Sequence, residues 1–377
     1  MNFDFTEEQT MIRETVKRFM REKYDFDTRQ AIIASDAGWS PEIWQQLAEM
    51  GLMGAAFPEE YDGFGGTAAD IMVLMEEFGE GLLIEPFFPT AILAGQILRE
   101  VGGEEARALI GQIIAGEMIM AFAHDEPKAR GVISHVETTA RLDGDGFILN
   151  GQKAVVLGAP LANRLIISAR TSGQDREEDG ISLFLVDPGQ DGLSIHAYPT
   201  IDGMRAGDVH LDQVHVPASA LLGTNEKAYP VISTVIDRAI TAMSAEAAGL
   251  CRKMSDLTRD YCRQREQFGQ PISKFQVLQH QMVDMFIHTE EMSSMAYMAA
   301  MNHDTPGRDT ARAAAAAKVQ IGKSVKFVGE TAVQLHGGMG ITEEMAVGHY
   351  FMHATMMENL LGDSNFHLRR FQGTTHI

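Results

Sequence analysis

Arg265, Gln267 and Phe268 stand close together in this chain, and Gln334, Gly337 and Gly338 form a second group farther on. A guanidinium presents a rigid fork of donors that matches the oxygens of a pyrophosphate. Phe268 adds an apolar face beside it, and Gly337 and Gly338 remove side chains where a backbone must approach a ligand closely. Singly, each signal has an ordinary use. A Gly-Gly pair ends many helices, Arg265 also suits a salt bridge with Asp284 or Glu266, Phe268 also suits core packing, and Gln334 also suits capping its own helix end. Together, in this order and spacing, they suit half of a dinucleotide site.

The elements that must hold these groups read as helices. From about Ala228 onward the pattern is helical over roughly 228–264, 272–302 and 308–336, broken at Pro271 and at Pro306-Gly307. Residues 1 to about 120 also read as helical. Thr6 to Gln9 is a capping box, with Ile12, Val16, Phe19 and Met20 on one face behind it. Ser40-Pro41 starts another helix, and 69–82 and 88–101 continue the pattern. Between these regions lie short β-type runs at Val136–Leu142, Gly146–Leu149, Leu165–Ala169, Ile181–Val186 and Val209–Val216, with a hairpin signal at Asp143-Gly144-Asp145-Gly146. The division expected is an N-terminal all-α domain (1–120), a middle β-barrel-like domain (121–227) and a C-terminal four-helix bundle (228–377), a multidomain α+β chain.

The net charge of −21 argues against nucleic-acid or anionic-membrane partners, and it requires a local basic patch for any anionic ligand. No stretch reaches the roughly 18 apolar residues of a membrane span, and the acidic, polar start is unlike a signal peptide. Cys251 and Cys262 read as buried thiols in a reducing cytosol, so the expected location is cytoplasmic. Met292, Met295, Met298 and Met301 recur every three residues, and Met352, Met356 and Met357 cluster later; they suit adaptable core filling or a pliable wall for a bulky ligand group. His336, His349, His353 and His367 lie among no cysteines or carboxylates at metal-ligand spacing. Each reads as a hydrogen-bonded structural histidine, and no metal site is expected.

These motifs resemble the acyl-CoA dehydrogenase family, and the resemblance runs the length of the chain. Pro58–Gly66 looks like that family's N-terminal loop, Leu149–Lys153 like the start of its middle domain, and Val209–Pro217 with Leu221–Gly223 like that domain's exit. The resemblance implies FAD as cofactor, an acyl-CoA thioester as substrate and electron-transfer flavoprotein as acceptor. In the family each flavin lies at a subunit interface. One subunit supplies the β-domain contacts, the backbone around the isoalloxazine ring and the base. Its mate supplies an Arg-x-Gln/Thr-Phe-Gly and a Gln-x-x-Gly-Gly-x-Gly stretch that hold the adenosine diphosphate portion. By position the mate-supplied residues here are Arg265, Gln267, Phe268, Gln334, Gly337 and Gly338.

The complementary half departs from the family's pattern. Where a Thr-Glu-x-x-x-Gly-Ser-Asp run is usual, this chain has Ala123–Arg130, of which only Glu126-Pro127 matches. Where a Trp-Ile-Thr run follows the lysine, Lys153 is followed by Ala154, Val155, Val156 and Leu157, which cannot stack a flavin or donate a side-chain hydrogen bond. The usual base is a glutamate at the position of Leu361, and leucine cannot accept a proton. Some members carry the base on an earlier helix, whose position falls at Ala239; Asp237 lies two residues away, and Asp363 is the other substitute.

Retention of the lent half and loss of the other resembles the small subunits of bacterial heteromeric α2β2 enzymes. In that architecture the partner is an unlike acyl-CoA dehydrogenase subunit. A self-sufficient homo-oligomer with a relocated base, Asp237 or Asp363, and a non-catalytic assembly protein on the same scaffold are the alternatives.

Overall fold

The computed structural model describes residues 5–303 and 308–375. Helix α1 (Glu7–Lys23) opens on the expected capping box, with Thr6 Oγ1 accepting from the Gln9 amide at 3.1 Å and Gln9 Oε1 accepting from the Thr6 amide at 3.0 Å. After α2 (Phe26–Ala34), α3 (Pro41–Glu49) starts at Ser40, whose hydroxyl accepts from the Ile43 amide at 3.2 Å. Helices α4 (Ala68–Gly81), α5 (Gly95–Val101) and α6 (Glu104–Ile114) follow. The helix expected over 88–101 is instead a widened π turn, Phe88–Ala94, leading into α5. Pro89 has no amide to contribute, and the wider turn accommodates that gap.

Eight strands come next: β1 (Met120–Ala123), β2 (Thr139–Asp143), β3 (Gly146–Leu157), β4 (Arg164–Arg170), β5 (Ile181–Val186), β6 (Leu193–Pro199), β7 (Arg205–Pro217) and β8 (Leu221–Leu222). The hairpin expected at Asp143–Gly146 joins β2 to β3, and Gly144 takes the φ of 59° that the tight turn needs. The remainder is α7 (Ala228–Gln264), a hairpin of β9 (Glu266–Gln267) and β10 (Gln270–Pro271), α8 (Gln276–Met301), α9 (Arg308–His336), α10 (Ala346–Asn359) and α11 (Ser364–Thr375). The three long helices thus match expectation, with a 3-10 turn at Ile272–Lys274 ahead of α8. The expected break at Pro306-Gly307 lies outside the described residues.

The architecture is an N-terminal helical domain, a middle sheet domain and a C-terminal helical domain. The sheet runs β6-β7-β3-β2-β4-β5-β8, with β1 pairing parallel to β4. It does not close into a barrel among the described residues: β6 and β8 are its ends, and β8 has only 2 residues to pair with. By compactness the chain divides into two units, Met1–Ala31 with Ala68–Leu83 and Ile240–Ile377, and Ile32–Thr67 with Ile84–Ala239.

In the first unit α9 packs against α8, α10 and α11. There α4 meets α7 backbone to backbone. A Cβ on Gly249 would lie 1.9 Å from Glu76 O, and one on Gly79 would lie 2.1 Å from Glu246 O. Only glycine permits that approach. Glu76 then pairs with both Arg13 and Arg252, fixing α1 and α7 to α4. Cys251 and Cys262 are buried in α7, and burial pushes the Cys251 thiol up to about 12.

The second unit centres on the inner face of the sheet, where Leu149, Ile167, Phe184 and Val209 are all 0% exposed. Each such side chain contributes about 1.5–3 kcal/mol relative to solvent.

Candidate functional site

The end of α7 delivers Arg265 and Gln267 to the short β9–β10 hairpin, with Gln270 paired to Gln267 and Pro271 to Glu266. Its two-residue loop is Phe268-Gly269, with φ of 54° and 75°. Both signs are those of a tight hairpin turn, but a bulky side chain rarely adopts that φ. Phe268 is 92% exposed there, with its ring edge-on to Phe275 at 6.0 Å between centroids. It is therefore no core residue. The Arg265 guanidinium is exposed and has no ion pair or hydrogen bond among the described residues, so the salt bridges with Asp284 and Glu266 do not form. Gln267 donates Nε2 to Glu266 O at 2.7 Å.

The second group sits where α9 ends. Gln334 is exposed on the last turn, and Gly337 and Gly338 open the 3-10 turn Gly337–Ile341. Gly337 has φ of 60°, and a Cβ built on either glycine meets nothing within 4 Å. The backbone here is bare toward open space. The two groups are joined: Tyr261, one turn before Arg265, stacks on His336, the residue before Gly337. His336 Nδ1 bonds Ala332 O at 2.8 Å, His353 bonds Glu246 at 2.9 Å and His367 bonds Leu361 O at 2.8 Å. His349 likewise bonds Glu343 O. An unpaired guanidinium, bare glycine backbone and an exposed aromatic ring fit the diphosphate and adenosine portion of FAD.

The ring-side positions do not fit a flavin. On β3, Val156 and Leu157 are 2% and 5% exposed, Val156 being packed into the sheet core. Val155 is turned outward at φ of 51° by the irregularity between Lys153 and Val156, and its amide donates to Asp208 Oδ1. None of these side chains offers a hydroxyl or an aromatic face.

The base positions divide. Leu361 is half-buried at φ of 59°. Asp363 is exposed, and its Oδ1 accepts from the Phe366 amide at 2.6 Å, so it caps the start of α11. Asp237 lies on α7 and is 4% exposed; Ala239 is fully buried nearby.

Sequence reasoning missed a buried polar cluster in the sheet domain. Lys153 Nζ, fully buried, donates to Glu126 Oε1 at 2.7 Å, Ser168 Oγ at 3.1 Å and His124 O at 3.3 Å. Burial pushes Glu126 upward, but the Lys153 ammonium and the Thr138 donors outweigh it and hold the carboxyl below its ordinary value. Burial, with Lys153 beside it, pulls His124 down to about 3, so its imidazole is neutral. Glu126-Pro127 was the only visible trace of this cluster. Its partners come from separate strands, and no local spacing announces them.

Models of the acyl-CoA dehydrogenase N-terminal, middle and C-terminal domains match residues 6–117, 121–214 and 229–373. The chain is 29% identical to Probable acyl-CoA dehydrogenase YngJ of Bacillus subtilis, covering 98% of each chain. It is 28% identical to the caffeyl-CoA reductase-Etf complex subunit CarC of Acetobacterium woodii, covering 91% of each. Among solved structures, the Tcur3481-Tcur3483 steroid ACAD variant superposes with a TM-score of 0.88 at 30% identity, covering 98% of each chain. The chain belongs to the acyl-CoA dehydrogenase family, FAD-dependent oxidoreductases acting on acyl-CoA thioesters.

Proposed function

We propose that this chain is the flavin-lending subunit of a heteromeric acyl-CoA dehydrogenase. In this reading Arg265, Gln267, Phe268, Gln334, Gly337 and Gly338 clamp the adenosine diphosphate portion of an FAD whose ring lies in an unlike partner chain. The domain boundaries we assign are 1–120, 121–227 and 228–377. The observation that carries the proposal is Phe268, 92% exposed on a strained turn beside an unpaired Arg265. A large apolar side chain held in water at a conformational cost is explained by a ligand or partner that covers it.

Bound FAD would supply a hydride acceptor for the β carbon of the acyl group. This chain's residues would orient the diphosphate through the Arg265 fork and the Gly337-Gly338 backbone. The partner supplies the carboxylate that takes the α proton, because Leu361 cannot. The pairing of two polypeptides in the Tcur3481-Tcur3483 name supports the heteromer, and the Etf complex containing CarC supports electron-transfer flavoprotein as acceptor. Co-expression with an unlike acyl-CoA dehydrogenase chain, followed by flavin titration of the complex, tests the proposal. Arg265→Ala should lower flavin retention at least about tenfold, the scale of a lost charge-assisted contact; unchanged retention would reject the clamp.

A second reading rests on Asp237. A buried carboxylate has the dry surroundings that a base requires. It describes a self-sufficient homo-oligomer in which Asp237 takes the α proton. Asp363, exposed and engaged as a helix cap, meets that requirement less well.

A further inference from the structure

We propose that the sheet domain carries a site for a divalent transition-metal ion, held by Glu126, His135 and Glu137. One ligand atom from each of the three lies within 4.8 Å of the other two. His135 is 3% exposed, and both of its ring nitrogens are buried without a hydrogen-bond partner among the described residues. Buried polar groups are rarely left in that state, and coordination would satisfy one nitrogen outright. Nε2 of His135 faces Glu137 Oε1 at 3.7 Å. That is too long for a hydrogen bond, and an ion about 2.0–2.2 Å from each atom fits between them.

The two carboxylates have capacity to spare. Glu126 Oε1 is committed to Lys153 at 2.7 Å and to the Thr138 amide at 2.9 Å, but among the described residues Oε2 accepts only the Glu137 amide, at 2.6 Å. One lone pair of Oε2 remains. Glu137 meets Lys128 at 3.2 Å, but both side chains are largely in water, at 42% and 72% exposure. An ion pair of that kind is screened and gives way to a stronger competitor. Lys153 already neutralises part of the Glu126 charge, so the site is one of moderate affinity rather than a tight four-ligand clamp.

One imidazole nitrogen and two carboxylate oxygens select a borderline ion of the Zn2+ type over Ca2+ or Mg2+, which prefer all-oxygen shells. The exposed edge at Glu137 leaves a coordination position for water. Bound there, the ion would fasten the loop after β1, at Glu126, to the segment entering β2, at His135 and Glu137. His135 and Glu137 are separated by one residue just before β2, and their ligand atoms converge there with that of Glu126.

Equilibrium dialysis of the full chain against Zn2+, with bound metal counted by mass spectrometry, tests this. The expected result is one more Zn2+ per chain in the wild type than in His135→Gln. Glu137→Gln should weaken that ion about tenfold or more, the scale of losing one ligand group. Lys128→Ala should tighten it, because Glu137 loses a competing ammonium. Glu137 and Lys128 lie at the surface, so those two variants keep the test intact even where His135→Gln fails to fold. Equal Zn2+ binding by wild type and Glu137→Gln, with no change in Lys128→Ala, would overturn the proposal and leave His135 an unligated core imidazole.

Discussion

The Tyr261 ring stacks on the His336 imidazole, with centroids 4.3 Å apart and planes inclined by 26°, and the Tyr261 hydroxyl donates to His336 O at 3.3 Å. This contact locks the end of α7 to the end of α9. Arg265 lies one turn beyond the tyrosine, and Gly337 directly follows the histidine. Two groups far apart in sequence are thereby held as one surface. Tyr261→Ala should cost about 1–3 kcal/mol, the sum of an aromatic pair and a modest hydrogen bond. It should also weaken flavin retention in the heteromer more than that loss of stability explains. Denaturant titration and flavin titration of the same variant measure the two effects separately. A stability loss with full flavin retention would remove the stack from the half-site.

Phe268 offers the cleaner separation of fold from ligand. Its side chain is almost wholly in water, so Phe268→Ala should change stability by no more than about 0.5 kcal/mol. Flavin affinity of the complex should nevertheless fall, by about fivefold or more if the ring contributes about 1 kcal/mol of packing. Unchanged affinity, read by fluorescence of released flavin, would make the exposed ring an incidental surface feature.

The glycines predict opposite behaviours. Gly338→Ala has open space around the added methyl and should fold normally while obstructing close approach of the diphosphate. Gly249→Ala places its methyl against the Glu76 carbonyl, a backbone atom that cannot swing away. It should destabilise by about 3 kcal/mol or more. Thermal unfolding of the two variants side by side checks this. Equal melting temperatures would mean that α4 and α7 do not meet as described.

Acid should weaken the fold earlier than its carboxylates alone would imply. Burial pulls His124 to about 3 and His367 to about 4, whereas in the unfolded chain both titrate near the ordinary histidine value of about 6.5. Between those limits the unfolded state holds more protons, so stability rises with pH. The denaturant midpoint should therefore fall steadily as pH drops from about 6.5 toward 4. His367→Gln, which keeps a donor for Leu361 O, should make that slope shallower across the same window. A midpoint independent of pH across this window would contradict the burial of both imidazoles as neutral groups.

Local chemistry was readable along much of the chain. Thr6, Ser40 and the Asp143–Gly146 turn act through neighbours a few residues away, and each does in the structure what its type suggests. The pairing of Arg265 and Phe268 with Gly337 was readable as a motif, though not the Tyr261–His336 stack that unites them. Strand β1 reads Met-Ala-Phe-Ala, buried throughout, with neither alternation nor β-branched residues to reveal it. Strand β6 does alternate, as Leu193-Ser194-Ile195-His196-Ala197, so its signal was legible in the sequence although the strand is mostly exposed. The Glu126–Lys153 pair and the Glu126–His135–Glu137 group were unreadable for a different reason. The first exists only after β3 is brought beside the loop following β1, and the second only after that loop folds back on the segment entering β2.

The flavin-band absorbance of this chain purified alone, set against the same chain co-purified with its unlike partner, tests the lending role most directly. A colourless chain that yields one FAD per unlike pair on co-expression is the predicted result. A chain that is fully loaded with FAD by itself and oxidises an acyl-CoA, losing that activity in Asp237→Asn, would contradict it.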